Sequence, residues 1–440
     1  MKEIFFIILQ LTIFVIFFSA PFHICFNRTR NFNNYIFYSS SVNFIFLLNV
    51  FLFISFFRFN LNYIFNFQLI LCILLFFYFL YKKKFEYIFL KNIKLYLFFI
   101  FTNLTLFFLL ANNLRLEWDG LSFWFYKTAT YYQGGSFEDL KNLPYKNYPH
   151  LGSFIWAFFW KNSFLKLEYF GRLFYIFAYI LSIFSVTDLF NKSYSNNFKI
   201  LFCLLIVYFT YDHLLFGGYQ EYLIFSILLF SSRFIYEYFI LEKNKFRDLI
   251  VILFSINLLI WIKQEGIFYF SFIILFLIFN KINNSLKKIF ILTFYVLAIA
   301  TSVFLFNQLI GNFEFQSKFL HNELVNNFNI STIIDKFFLI IYYMFISSLK
   351  YPIWIIIFFS FIILSYYRNN SKINYLYIFL TLNIIFIFSV FFHTPYNFIE
   401  MLSNSLDRLM LQTSAFYIPL FIYLLNKYKK KFALLNNFLK

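Results

Sequence analysis

Acidic and basic residues of this chain recur in short polar stretches between long apolar segments. A carboxylate can take a proton from an acceptor hydroxyl or amine, or can help to hold a divalent cation. Lysine and arginine neutralise phosphate oxygens, and arginine does so with two parallel hydrogen bonds. These residue types therefore suit group transfer from a phosphate-bearing substrate. The strongest candidates are Asp119, Glu221, Lys263, Glu265 and Arg408.

The apolar segments that separate these residues decide the class of protein. The chain has 440 residues, of which 62% are hydrophobic and 79 are Phe. A soluble domain has an apolar share nearer one half. Runs of about 18 or more apolar residues are long enough to cross the hydrocarbon layer, where only helices satisfy their own backbone groups. The sequence therefore predicts an all-α, polytopic transmembrane helical bundle.

We predict about thirteen crossings, within a range of about 11 to 14, from segments of this length. Two apolar segments, 151–160 and 337–349, are too short to span and are predicted to lie at the membrane interface. The predicted spans are 4–20, 42–57, 63–81, 95–112, 173–190, 199–215, 221–240, 249–262, 267–280, 289–309, 353–366, 375–392 and 414–426.

Lysine and arginine in the short loops predict the orientation. The segment 82–94 carries five lysines against one acid, which places it in the cytoplasm. The next span then delivers the loop 113–150 to the outer side. Counting crossings puts the turns 212–221 and 263–266 and the polar stretch 394–408 on that same side. Counting backwards places Arg28 and Arg30 inside and the N-terminus outside.

The predicted domains follow from this topology. Residues 1–94 form N-terminal transmembrane helices with a basic cytoplasmic loop, 95–427 form the catalytic domain, and 428–440 form a basic cytoplasmic tail. The net charge of +18 is explained by lysines in cytoplasmic loops, so no nucleic-acid partner is expected. The unpaired spacing of Cys25, Cys72 and Cys203 indicates neither a disulfide framework nor a metal site.

Ionisable residues next to membrane spans are costly, and here they collect on one predicted side. Short interhelical turns are polar in any case, which is enough to explain each residue singly. The whole set is explained better by a functional site, because Trp118 and Trp124 flank Asp119.

Several motifs in the chain follow one order. They are Trp118-Asp119-Gly120-Leu121-Ser122-Phe123-Trp124, Lys127, Gly134-Gly135, Tyr148-Pro149-His150-Leu151, Gly218-Tyr219-Gln220-Glu221, Lys263-Gln264-Glu265-Gly266 and Ser405-Leu406-Asp407-Arg408-Leu409. Together they resemble bacterial GT-C-type glycosyltransferases, the membrane relatives of protein O-mannosyltransferases and lipid A aminoarabinose transferases. The four N-terminal spans depart from that family, whose acidic loop follows the first helix.

The resemblance implies transfer of a sugar from a polyprenyl-phosphate donor to a glycan, lipid or protein acceptor, on the periplasmic face of a bacterial inner membrane. Asp119 would be the general base or a metal-organising carboxylate, and Glu221 a second catalytic acid. Lys263 and Arg408 would bind the donor phosphate. Residues that would position the substrates are Trp118, Lys127, Tyr148, His150 and Glu265. Some relatives use a divalent cation and others do not, so Mg²⁺ or Mn²⁺ at Asp119 stays open.

Two other functions fit parts of the pattern. Polysaccharide polymerases and O-antigen ligases also have many spans and a large external loop, but they rely on arginines and a histidine in that loop, where this chain has only Arg115. A lipid or solute transporter would place its charges near the midplane of repeated segments, and we find no such repeat. The glycosyltransferase is therefore the favoured interpretation.

Overall fold

The computed structural model describes residues 2–19, 36–81, 86–191, 193–239, 246–279, 285–307, 330–366, 371–392 and 398–427. Within these ranges every regular element is a helix and no strand occurs. The predicted all-α class is therefore confirmed. The predictions for Arg28, Arg30, residues 82–85 and the tail 428–440 fall outside the described residues.

Four long apolar helices form the N-terminal part: α1 (Lys2–Ser19), α2 (Ile36–Ser55), α3 (Leu61–Tyr81) and α4 (Glu86–Asn112). They match the first four predicted spans, and α2 begins six residues earlier than predicted. The predicted domain boundary at residue 94 falls inside α4. This part is joined to the rest of the bundle, because α1, α2 and α4 all pack against the central helix α7 (Tyr169–Ser185).

The segment after α4 forms a compact loop structure. A π-helical turn, Gly120–Phe125, leads into α5 (Tyr126–Tyr132), and a 3₁₀ turn, Phe137–Asn142, follows. Helix α6 (Leu151–Lys161) corresponds to the segment predicted at the membrane interface. Residues 151–159 are all buried, between α5 and α7, and their position at the membrane interface stays a prediction. A helix that is hydrophobic all round belongs in the interior, and α6 carries apolar side chains on every face.

Two helices occupy the centre of the bundle. Every residue of α7 is buried, and α9 (Glu221–Phe239) is buried along nearly its whole length. Around α9 lie α7, α10 (Phe246–Ile262), α16 (Phe398–Ser414) and α17 (Ile418–Lys427). The remaining helices are listed here: α8 (Asn196–Thr210), α11 (Gly266–Phe279), α12 (Ser285–Leu305), α13 (Ile330–Lys350), α14 (Ile353–Tyr366) and α15 (Ser371–Phe392).

The C-terminal part departs from the prediction in two places. The segment predicted as short and interfacial lies in α13, which has 21 residues and meets α14 at an angle of 113°. The stretch 394–408, predicted as a polar loop, enters the 17-residue α16 at residue 398. Helix α16 is amphipathic: Leu402, Leu406 and Leu409 are buried at helical spacing, so average hydropathy concealed it.

The helices indicate an integral membrane protein. Among the described residues, five helices are long and apolar enough to span, and up to seven if each of two bent pairs counts as one. The count of about thirteen is too high by this criterion, because several predicted spans are shorter apolar helices; examples are α8 with 15 residues and α11 with 14.

Candidate functional site

Two glycine-containing segments interlock at the entrance to α9. The backbone N–H of Glu117 donates a hydrogen bond to the carbonyl of Gly217 at 3.1 Å. A Cβ atom on Gly120 would lie 2.0 Å from that same carbonyl oxygen, so only glycine permits this approach. Gly218 has φ +81°, a left-handed conformation that glycine adopts without strain. The close approach holds Asp119 beside the first residue of α9, Glu221.

Arg172 of α7 holds both segments through hydrogen bonds to their carbonyl oxygens. This role was not predicted from the sequence. The guanidinium is fully buried and donates to the carbonyl oxygens of Leu114, at 2.9 Å, and Phe216, at 2.5 Å. It also forms an ion pair with Glu168, one helical turn away, at 2.8 Å. The signal was present in the sequence as an acid and an arginine four residues apart at the start of an apolar span.

The five strongest candidates from the sequence lie together in one charge cluster. Arg408 of α16 donates to Asp119 and, at 3.3 Å, to Glu221. Lys263, in the turn between α10 and α11, donates to Glu221 at 2.9 Å and pairs with Glu265 at 2.9 Å. Residues 289 positions apart are therefore brought into direct contact. We name this group the central cluster.

The central cluster contains three carboxylates and two cations, and its burial decides their ionisation. The Glu221 side chain is fully buried, whereas those of Asp119 and Arg408 are 13% and 18% exposed. Burial raises the pKa of Asp119 above its usual value, although the Arg408 guanidinium opposes this shift. Burial alone would lower the pKa of Lys263, but Glu221 and Glu265 outweigh it and raise that pKa, so Lys263 stays protonated. The cluster therefore keeps two fixed positive charges beside an acid of raised proton affinity.

A second group of ionisable residues lies next to the central cluster. Lys350, at the end of α13, pairs with Asp212 at 3.0 Å and with Asp407 at 2.8 Å. Asp407 directly precedes Arg408, so the two groups adjoin on α16. The hydroxyl of Tyr351 donates to Asp212 at 2.5 Å. Lys350 and Tyr351 were missed because they follow the segment that hydropathy assigned to the interface; the charged residue at its end was the available signal.

The remaining predicted site residues lie around the central cluster at different depths. Tyr148 is half-buried and stacks on Phe123 with ring centroids 4.9 Å apart. Burial raises the pKa of the Tyr148 phenol to about 12. The charges of Glu265, Lys263, Asp119 and Arg408 also act on this group. Trp118 is 63% exposed and packs edge-on against Phe123. Both aromatic side chains therefore pack on Phe123, and Tyr148 lies within range of the charges of the central cluster.

Lys127 and His150 are fully buried in the loop structure. Lys127 donates to the backbone carbonyl of Tyr148. Burial lowers the pKa of Lys127 to about 7. His150 shares a 2.8 Å hydrogen bond with Ser55 of α2 and packs against Phe137, and burial holds its pKa well below the usual value. In this arrangement both residues support the loop from inside, without an exposed surface for a substrate.

The central cluster places carboxylates and cations side by side. Among the described residues no three His, Cys, Asp or Glu side chains are grouped to hold a metal ion. The cations that face the carboxylates are the guanidinium of Arg408 and the ammonium of Lys263. Such an arrangement can exchange a carboxylate for a phosphate group at fixed positive charges, and can accept a proton at Asp119.

Comparison with known proteins gives no family for this chain: it matches no family model, no curated protein and no solved structure.

Proposed function

We propose that this protein is a membrane glycosyltransferase that moves a sugar from a polyprenyl-phosphate donor to a cell-envelope acceptor. The observation that carries the proposal is the central cluster, in which Asp119 and Glu221 share Arg408 and Glu221 also holds Lys263. Two fixed cations beside a buried acid suit a phosphate leaving group next to a general base. The motif resemblance and the predicted outer location, on the periplasmic face of a bacterial inner membrane, support it further.

In the mechanism we propose, the donor phosphate takes the place of a carboxylate at Arg408. Phosphate and carboxylate both match the guanidinium fork, and a bound phosphate would release Asp119 from its ion pair. Lys263 stays charged and supplies the second positive contact. Glu221, fully buried between the two cations, fixes their positions. The donor itself thereby frees the base.

The chemical step then moves one proton and exchanges one bond. Asp119 accepts the proton of the acceptor hydroxyl while that oxygen forms a bond to the anomeric carbon. The bond from the anomeric carbon to the phosphate oxygen breaks, and its electron pair leaves with the polyprenyl phosphate. Arg408 and Lys263 stabilise the charge that develops on the leaving group. Attack from the side opposite the phosphate inverts the anomeric centre.

The test is the variant Asp119→Asn in lipid nanodiscs supplied with a polyprenyl-phosphate sugar and envelope acceptor. The amide keeps the size of the side chain but cannot serve as a base, so kcat should fall by about 10²-fold or more. Glu138→Gln is the control, because Glu138 lies in the same loop, is exposed and pairs with the exposed Lys141. Transfer by Asp119→Asn at the wild-type rate would contradict the proposal.

A further inference from the structure

Four aromatic rings from four different elements meet in one group beside the loop 113–150. They belong to Phe56, which follows α2, Phe137 of the 3₁₀ turn, His150 before α6, and Trp261 of α10. Every pair among them is in contact, with centroid distances from 4.4 Å for Phe137 and His150 to 6.4 Å for Phe137 and Trp261. Phe137 and His150 are fully buried, and Trp261 is 3% exposed. We name these residues the four-ring cluster.

Phe56 is the member that the N-terminal helices contribute. Its ring stands edge-on to the rings of Phe137, Trp261 and His150, at centroid distances of 5.0, 5.2 and 5.4 Å and interplanar angles of 78°, 83° and 66°. Edge-to-face pairs at such distances are attractive beyond the burial of their surface, because the positive ring edge meets the negative ring face. An aliphatic side chain at position 56 could fill a similar volume but could not form these three contacts.

The position of Phe56 is fixed because α2 is joined to both the loop and α10. In α2 the side-chain amide of Asn49 donates to the carbonyl of Phe254 at 3.1 Å and accepts from the amide of Asn257 at 3.3 Å; both partners belong to α10. At the end of α2 the hydroxyl of Ser55 shares its 2.8 Å hydrogen bond with Nε2 of His150. The turn after α2 therefore cannot move without disturbing α10 or the end of the loop.

The four-ring cluster adjoins the turn that carries Lys263 of the central cluster. Trp261 lies two residues before Lys263, whose backbone N–H still donates to the last turn of α10 at 3.4 Å. On the loop side, Pro149 directly precedes His150, and Pro149 and Gln264 line the same cavity. The end of the loop and the Lys263 turn therefore face each other across the contact between His150 and Trp261.

We propose that Phe56 is a positioning residue for the central cluster: through Trp261 it fixes the turn that presents Lys263 to the donor phosphate. The inference rests on the proposed transferase function and deepens it, because it makes the N-terminal helices part of the donor-binding side of the site. A ring that only fills space changes stability when it is removed. A ring that positions Lys263 changes the binding of a phosphate ligand as well, and this difference can be measured.

Ligand binding by Phe56→Leu tests the positioning role. Leucine keeps most of the volume, so the protein should fold, but the three edge-to-face contacts are lost and the Lys263 turn gains freedom. The probe is radiolabelled farnesyl phosphate, a short polyprenyl phosphate, added to the protein in nanodiscs with empty nanodiscs as background. We expect the Kd to rise about 5- to 10-fold in Phe56→Leu and to stay within about 2-fold of wild type in Phe56→Tyr, which keeps the ring.

Phe57→Leu is the matched control, because Phe57 is the next residue, is 48% exposed and packs on Phe53 and Phe59. Its Kd should equal that of the wild type. In a Lys263→Met background, Phe56→Leu should raise the Kd by less than about 2-fold, since the two residues act along one path. An unchanged Kd in Phe56→Leu alone, or an undiminished effect in the Lys263→Met background, overturns the inference.

A measurement without ligand tests the contact itself. In fluorine NMR spectra of fluorotryptophan-labelled protein, the Trp261 signal is assigned as the one lost in Trp261→Phe. It should shift in Phe56→Leu and stay in place in Phe57→Leu, and an unshifted signal in Phe56→Leu overturns the positioning role.

The binding data also separate this inference from the proposed function. If Phe56→Leu weakens binding of farnesyl phosphate as expected, but the wild type transfers no sugar from a polyprenyl-phosphate donor, the transferase proposal fails and the positioning role stands. If the wild type transfers sugar and Phe56→Leu binds farnesyl phosphate normally, the positioning role fails and the transferase proposal stands.

Discussion

At the scale of single residues, Arg408 is the group that Asp119 and Glu221 of the central cluster share. Its guanidinium contacts Asp119 and Glu221, and the ring of Tyr219 lies 5.4 Å from its centre. In the proposed reaction this cation contacts the donor and never the acceptor. A change at Arg408 should therefore act on one substrate alone.

Arg408→Ala should raise the donor KM about 10- to 100-fold, since hydrogen bonds to charged groups contribute about 1.5–3 kcal/mol. Arg408→Lys keeps the charge and loses the planar fork, so it should recover part of the loss. Steady-state kinetics with each substrate varied in turn measure both constants. A larger effect on the acceptor KM than on the donor KM would reassign Arg408.

The burial of Lys127 leads to a prediction about how the stability of the protein varies with pH. The pKa of about 7 in the folded protein lies below its ordinary value of 10.5, so the folded state resists protonation that the unfolded state accepts. The contribution of Lys127 to the free energy of unfolding is therefore most favourable above pH 10.5. It decreases as the pH falls from 10.5 to about 7, because over this range the proton binds mainly to the unfolded state. Lys127→Met removes this cost and should raise Tm by about 2–4 °C at pH 6, with the gain fading towards pH 10.

The matched control for Lys127 is Lys141→Met, because Lys141 lies in the same loop with an exposed side chain. Its Tm difference from wild type should not vary with pH between 6 and 10. Thermal unfolding in detergent, followed at several pH values, gives both curves. A pH-independent Tm difference for Lys127→Met would show that Lys127 is charged in the folded state.

At the scale of elements, the interlock between Gly120 and Gly217 determines the position of Asp119. Gly120→Ala would place a Cβ atom 2.0 Å from the Gly217 carbonyl oxygen, so the π-helical turn would have to move. We expect kcat to fall by about 10²-fold, since an ångström-scale displacement of a catalytic group has that effect. Leu121→Ala is the control, because that side chain is half exposed and should leave kcat near wild type. Normal kcat in Gly120→Ala would exclude a positioning role for the interlock.

The sequence predicted the class of fold and the residues of the central cluster more accurately than it predicted the individual helices. Length and apolarity alone predict helices such as α9, and charges at helix ends stand out in an apolar chain. Helix α16 was missed because its polar face lowers its mean hydropathy, whereas α6 was predicted as a short helix and its burial inside the bundle was not. The contacts of Arg172 and Lys350 depend on tertiary structure, which no local pattern contains.

At the scale of the whole molecule, the predicted orientation in the membrane can be tested directly by labelling. Glu138→Cys should react with an impermeant thiol reagent in intact cells, because the loop 113–150 is predicted outside. Lys427→Cys, exposed at the end of α17, should react only after permeabilisation. Both are made in a background without Cys25, and the buried Cys72 and Cys203 should stay unlabelled. The reverse pattern would place the central cluster in the cytoplasm.

The contact between Asp119 and Arg408 also has a consequence for biosynthesis. Asp119 enters the membrane early, whereas its cationic partner is made 289 residues later. Until α16 is made, Asp119, at the start of the π-helical turn, lacks the guanidinium of Arg408. A chain that stops before residue 398 lacks α16 and cannot complete the central cluster. The proposed reaction therefore depends on a contact that only a chain extending to Arg408 can form.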